Sequence, residues 1–396
     1  MAKPKLALIP AAQGSKLFSV LPSSGVGDFD FTRSGSATRI NSQGLIETVA
    51  NGVSRLNYPM IDGKVVGCPH HILEPQRTNL IPYSEDFSDS YWYKSGTYTI
   101  TNNYGISPDG TNNSTRIQGD ANTVVYRDVG SSTDARSIYV KATSGSGSIQ
   151  LLSHHNNTNN VFAIDENWKR VEINSASVLP DNFYVVDFRG ASTDVFDIEI
   201  WGAQLEQGSY ATSYIPTNGN AVTRSAETAN GSGDATTFND SEGVLMAEVR
   251  TKDDGFNKFI TLSDGSDDDR ITIYFYTSIN DDIRFQIRSN NINQPLTPNP
   301  IGYNIDEFNK IAIKYKQNDV SAYVNGFLVA SNNGNLDTPL NLSELAFDDG
   351  GGGSDFYGNT KQIQYYNSAL TDSELEQLTS WTSFSDMANG QLYTIE

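Results

Sequence analysis

The sequence predicts an all-β protein: tandem β-sandwich (jelly-roll) domains, a small irregular N-terminal docking segment and one short C-terminal helix. Three observations point there. Charged residues make up 19% and hydrophobic residues 37%, both low for a globular chain, yet aromatics reach 11%. Disordered chains are poor in aromatics, so disorder is excluded. Gly, Ser, Thr and Asn fill the gap, the residues of turns and polar strand faces, and short alternating runs recur while a helix-start signal is clear only once.

Residues 1–80 are the docking segment. Lys16-Leu-Phe-Ser-Val-Leu21 and Asp28-Phe-Asp-Phe31 are its strand-like pieces. At roughly 25 cal/mol per Å² of apolar surface such short strands bury too little to fold alone, so the segment needs a partner chain or the next domain. Eight Lys and Arg against five Asp and Glu set it apart from an acidic remainder. The apolar stretch before Pro10 is too short for a signal-peptide core, which predicts an unprocessed chain made in a cytosol.

Residues 81–225 read as a sandwich. The runs at 98–101, 123–129, 136–141, 148–152, 169–173 and 182–189 alternate, and Asp194-Val-Phe-Asp-Ile-Glu-Ile-Trp201 sets Phe196, Ile198 and Ile200 against Val195, Asp197 and Glu199. One buried face and one wet face follow. The stretch 226–240, poor in large apolar residues, reads as a linker. Residues 241–396 are a second jelly roll with strands at 243–250, 257–262, 269–276, 282–288, 309–315, 320–330 and 361–366. Thr371-Asp-Ser-Glu374 then forms a capping box, with Leu375, Leu378 and Trp381 on one face behind it.

The formal net charge is −20, which disfavours nucleic acid and anionic lipid as partners. No run of eighteen apolar residues is present, so no membrane insertion is expected. Cys68 is the single cysteine, and no intrachain disulfide can form.

Two stretches resemble known families. Asp319-Val-Ser-Ala-Tyr-Val-Asn-Gly-Phe-Leu-Val329 and Tyr365-Tyr-Asn-Ser-Ala-Leu-Thr-Asp-Ser-Glu-Leu375 resemble the hairpin and the closing strand plus helix of laminin-G or concanavalin-A-like jelly rolls, over about 241–382. Gly27-Asp-Phe-Asp-Phe31, Ser36-Ala-Thr-Arg-Ile-Asn41, Leu73-Glu-Pro-Gln-Arg-Thr-Asn-Leu80 and Tyr83-Ser-Glu-Asp-Phe87 resemble a module at the N-terminus of tailed-bacteriophage tail and fibre-like proteins. Gly202-Ala-Gln-Leu-Glu-Gln-Gly-Ser-Tyr-Ala-Thr-Ser-Tyr-Ile-Pro216 is a second phrase of those proteins, and the sandwich between is similar to carbohydrate-binding jelly rolls. The resemblance implies a virion appendage, a head or tail fibre, placed on the particle exterior. It implies docking to capsid or tail proteins through Glu74, Pro75, Gln76, Arg77 and Asn79, self-association as a trimer or dimer, and adhesion to a host cell-surface glycan. The alternative is a polysaccharide-degrading tailspike enzyme. A secreted adhesin is disfavoured by the N-terminus.

Chemistry-bearing clusters are sparse. No nucleophile elbow, zincin motif or phosphate loop occurs, which predicts a non-enzyme without cofactors. His70-His71 beside Cys68 raises zinc, but adjacent strand residues point to opposite faces. The acidic turns offer hard oxygen donors for calcium at Asp264, Asp267, Asp348 and Asp349, competing with a reading as solvated turns. Tyr91, Trp92, Tyr93 and Trp168 are the candidate glycan platforms, against a reading of the two tryptophans as packing plugs.

Overall fold

The computed structural model describes residues 3–61, 63–130, 134–157, 160–174, 182–252, 254–276, 282–296 and 302–381. It is nearly all β, and the described residues contain one α-helix, Asp372–Thr379. That helix starts where the capping box places it: Thr371 accepts from the Glu374 backbone, and Glu374 reaches back to the Thr371 N–H. Leu375 is buried beneath it, whereas Trp381 lies beyond the last turn with the Lys310 ammonium 4.2 Å over its ring.

The middle sandwich consists of two five-stranded antiparallel sheets. One runs in the order Tyr93–Ser95, Val124–Asp128, Phe183–Asp187, Gly147–Leu151, Val161–Ile164. The other runs Tyr98–Thr101, Thr115–Gly119, Asp197–Gln207, Asp134–Ala142, Lys169–Ile173. Their inner faces close over Ile117, Val125, Ile138, Ile149, Val186 and Ile198. The Asp197–Gln207 strand continues six residues past Trp201, so Trp201 sits mid-strand, buried against Tyr214 at 4.5 Å. Glu199, expected on a wet face, is buried as well, hydrogen-bonded by Ser114 (2.6 Å) and paired with Lys141 (3.0 Å).

The C-terminal sandwich sets a five-stranded sheet, ordered Ile292–Asn293, Asp282–Ser289, Arg270–Tyr276, Lys258–Ser263, Glu344–Ala346, against an eleven-stranded one. The hairpin between Val320–Val324 and Phe327–Asn332 turns where expected. Asn325 and Gly326 both have positive φ, +49° and +88°, as a two-residue hairpin loop requires.

The long sheet is shared between the two ends of the chain. Its order is Thr228–Asn230, Phe29–Thr32, Lys16–Leu21, Leu6–Gln13, Gly358–Tyr366, Glu242–Thr251, Asn309–Lys316, Val320–Val324, Phe327–Asn332, with His70–Leu73 also paired to Gly358–Tyr366. Leu6 stands opposite Tyr365 and Leu8 opposite Ile363. Leu6, Leu8, Leu17, Phe29 and Phe31 are buried in the same core as Ile260, Ile273 and Ile363, each worth about 1.5–3 kcal/mol of burial. Strands of residues 1–80 therefore extend the sheet of the C-terminal sandwich, while Ala37–Ile40 with Ile46–Val49 and Met60–Ile61 with Lys64–Val65 form separate two-stranded sheets, and Leu6-Ala-Leu-Ile-Pro10 is part of a strand. The stretch 226–240, expected as a linker, supplies the Thr228–Asn230 edge strand and the Phe238 ring, 5.0 Å from Tyr365.

Candidate functional site

The residues expected to dock outward largely bind the chain to itself. Glu74, Pro75 and Asn79 are buried, Gln76 is exposed and Arg77 half-buried. Asn79 donates to the Ala203 and Ile215 carbonyls and accepts from the Ile81 and Leu205 N–H groups. Glu74 joins a buried ion network. Its carboxylate accepts from Arg55 and Arg224 (both 2.8 Å) and from the Ser213 hydroxyl (2.6 Å), while its backbone N–H donates to Glu227. Glu227 also takes Arg33 at 2.8 Å and Arg55. Burial alone raises a carboxyl's pKa, but Arg224, Arg55 and Ser213 outweigh it and hold Glu74 well below the usual range. The network joins Arg33, Arg55 and Glu74 to Ser213, Arg224 and Glu227.

The four aromatic candidates separate. Trp92 is buried, stacked on Phe87 at 5.0 Å with Tyr184 at 5.8 Å, so it is a core plug and not a platform. Trp168 lies at the seam with the docking segment, donating to the Ile106 carbonyl at 2.9 Å. It lines a groove of about 680 Å³ with Leu45, Met60 and Ile106. Tyr91 is half-buried, and the Arg127 guanidinium lies 4.7 Å over its ring. Tyr93 is 53% exposed and pairs across strands with Tyr126, whose ring also meets Phe183 at 5.5 Å. The sequence signal for this strip was the alternation at 123–129 and 182–189, which puts Tyr126 and Phe183 on a sheet face without saying which face is wet.

The acidic turns do meet, since a Cβ on Gly350 would lie 2.7 Å from the Ser266 carbonyl. Their carboxylates are engaged by their own loops. Asp264 accepts from Ser266, Asp348 from Gly350, and Asp349 from Gly351 and Gly353, while Asp267 pairs with Arg288 at 3.2 Å. Burial, then the neighbouring Asp349, Glu344 and Asp355, push Asp348 up to about 6. Among the described residues no group of three or more His, Cys, Asp or Glu is arranged to hold a metal ion. His70 and His71 are buried, Cys68 is exposed, and the three do not form a zinc site.

A larger concavity was not visible in the sequence. A cleft of about 1000 Å³ opens where three stretches converge. The Pro75–Arg77 turn and 207–209 form one wall. The C-terminal sandwich supplies the other with Phe256, Lys258, Tyr276, Asp355 and Tyr357. Phe256 is 74% exposed, an unusual position for a large apolar ring. The Arg284 guanidinium caps the Tyr276 ring at 4.0 Å. Lys258 is buried and fixed by Asp254 (2.5 Å) and the Lys252 carbonyl. The Tyr357 hydroxyl donates to Asp355 at 3.0 Å, and burial raises the Asp355 carboxyl above its ordinary value. Rings beside carboxylate, amide and guanidinium groups suit a polyhydroxylated ligand with apolar faces.

Comparison with known proteins bears on the C-terminal sandwich. Residues 234–376, about a third of the chain, match the family described as the Concanavalin A-like lectin/glucanases superfamily, so a laminin-G/concanavalin-A-like lectin domain lies there. No curated protein matches the chain. Among solved structures, the CBM40 of the Ruminococcus gnavus IT-sialidase bound to α2,3 sialyllactose is similar at 16% identity and a TM-score of 0.30, over 38% of this chain and 92% of that one. Domain 4 of AbnA, a GH43 extracellular arabinanase from Geobacillus stearothermophilus, in complex with arabinotriose, is similar at 12% identity and a TM-score of 0.31, over 43% and 82%. Trypanosoma rangeli sialidase is similar at 14% identity and 0.31, over 42% and 27%. At such TM-scores nothing about ligands follows from these three.

Proposed function

We propose that this protein is a non-catalytic glycan-adhesion protein that presents its lectin-type sandwich from the exterior of a tailed-bacteriophage virion, as a head or tail fibre. The observation that carries the adhesion reading is the junction cleft: an open, aromatic-lined concavity whose outer wall belongs to the lectin domain. The virion setting is supported by the phage-like phrases at 1–92 and 202–226. Ile9, Phe18 and Val20, exposed on the N-terminal hairpin, offer an apolar surface for a capsid or tail protein. Self-association as a dimer or trimer would multiply weak saccharide contacts into avidity.

The test is a saccharide panel probed with the full chain, together with immunogold labelling of intact virions using an antibody to residues 241–376. Binding to host-surface polysaccharide without release of reducing ends, and label on capsid or tail, are the expected results. Release of reducing ends would replace adhesion with the tailspike-enzyme reading. Unlabelled particles would overturn the virion setting, and an empty panel would overturn adhesion.

A further inference from the structure

We propose that the junction cleft selects saccharides bearing a carboxylate, and that Arg77 is the group that pairs with it. The inference rests on the reading of the cleft as a saccharide site and goes on to name the class of sugar. It starts from the contrast between Arg77 and its neighbours. Arg55 and Arg224 are each tied to buried carboxylates. Among the described residues Arg77 takes part in no ion pair. Its Nη1 donates to its neighbour's carbonyl, Gln76 O, at 3.1 Å, and its guanidinium lies 5.5 Å over the Tyr210 ring. Its Nε is buried and has no acceptor.

The carboxylates along the same cleft are already committed. Asp254 is held by Lys258 and by the Phe256 N–H, and Asp355 by the Tyr357 hydroxyl. Nη2, which donates to no described residue, is the nitrogen of Arg77 left for a ligand carboxylate, since Nε is closed off from solvent. Gly208 packs against the Nε–Nη2 edge of Arg77, where only glycine leaves the guanidinium room. A Cβ there would lie 3.0 Å from Nη2 and 3.1 Å from Nε, and the residue's φ of +141° further disfavours any other side chain. Phe256, Tyr276 and Tyr357 supply ring faces for the sugar's C–H surface, so a sugar acid fills both halves of the cleft. A chain of net charge −20 repels anions at long range, which makes a dedicated cation necessary for such a ligand.

The test compares polygalacturonate and colominic acid with carboxyl-reduced polygalacturonate and dextran, using the full-length protein at low and physiological salt. At least tenfold tighter binding of one carboxylated polymer over the carboxyl-reduced one is expected, and the two acidic polymers separate uronates from sialic-type sugars. Arg77→Gln should collapse that ratio, with Arg77→Lys recovering only part of it because an ammonium is a point charge. Phe256→Ala should weaken every polymer that binds by a similar factor. Equal binding of carboxylated and carboxyl-reduced polymers, or an unchanged ratio in Arg77→Gln, would overturn the assignment. The ratio measured on the unaltered chain decides carboxylate selection even where Arg77→Gln fails to fold, and Arg77→Lys then reports on the residue. Failure of all four polymers to bind would remove the saccharide reading itself, an outcome distinct from loss of selectivity.

Discussion

The Arg55 guanidinium and the Glu227 carboxylate meet inside the protein, both side chains without solvent exposure, although 172 residues separate them in the chain. Arg33 and the Glu74 backbone share the same carboxylate. Removing one member of a buried ion pair leaves its partner charged and unpaired, at about 3–5 kcal/mol. Glu227→Gln should lower stability by that order in a denaturant titration. A loss below about 1 kcal/mol would show that the network does not hold the docking segment in place.

His70 and His71 make the same seam sensitive to acid. Burial, with Arg250 and Lys361 beside it, holds His70 well below 6.5, and burial holds His71 at about 4 against the opposing backbone of Ile9. The unfolded chain takes up these protons at higher pH than the folded one does. Stability is therefore full above about pH 6.5 and falls as pH drops towards 4, by on the order of 3 kcal/mol for His71. Urea midpoints at pH 7.5 and 4.5 should differ less in His71→Leu than in the unaltered protein.

Asp348 works with the opposite sign. Its folded carboxyl titrates at about 6 against 3.8 for the free group, so its penalty grows as pH rises through that interval. Asp348→Asn keeps an oxygen for the Gly350 N–H and should stabilise by about 1–2 kcal/mol at pH 7. At pH 4 the gain should vanish, and thermal melts at the two values read it.

Trp92 and Tyr93 are neighbours with opposite fates. Trp92→Ala should cost about 3–5 kcal/mol, because its ring fills the space between Phe87 and Tyr184. Tyr93→Ala should stay within about 0.5 kcal/mol. Equal losses in calorimetry would mean that both rings are core.

That contrast also marks what the sequence could show. Alternation located most strands of both sandwiches and the Asn325-Gly326 turn, since those signals are local. It could not show that Trp92 faces inward, because the core it fills includes Tyr184, ninety-two positions away. Leu6-Ala-Leu-Ile-Pro10 is too short to read as a strand alone, and it becomes one by pairing with residues 363–365. The cleft draws on residues near 77, 208, 256, 276 and 357, so no spacing in the sequence announces it.

The pairing of Leu6–Gln13 with Gly358–Tyr366 gives the molecule a direction of mechanical strength. Leu6 stands opposite Tyr365, so tension between residues 5 and 366 acts at one end of the pair and parts its hydrogen bonds in turn. Tyr357, on the cleft wall, immediately precedes the other end of the Gly358–Tyr366 strand. Tension between residue 5 and a ligand gripped at Tyr357 instead shears the strands lengthwise, and the bonds share the load. A load entering at the exposed Ile9, Phe18 and Val20 meets the pair at the end nearer Gly358, so a pull between them and Tyr357 parts the bonds one after another from that side.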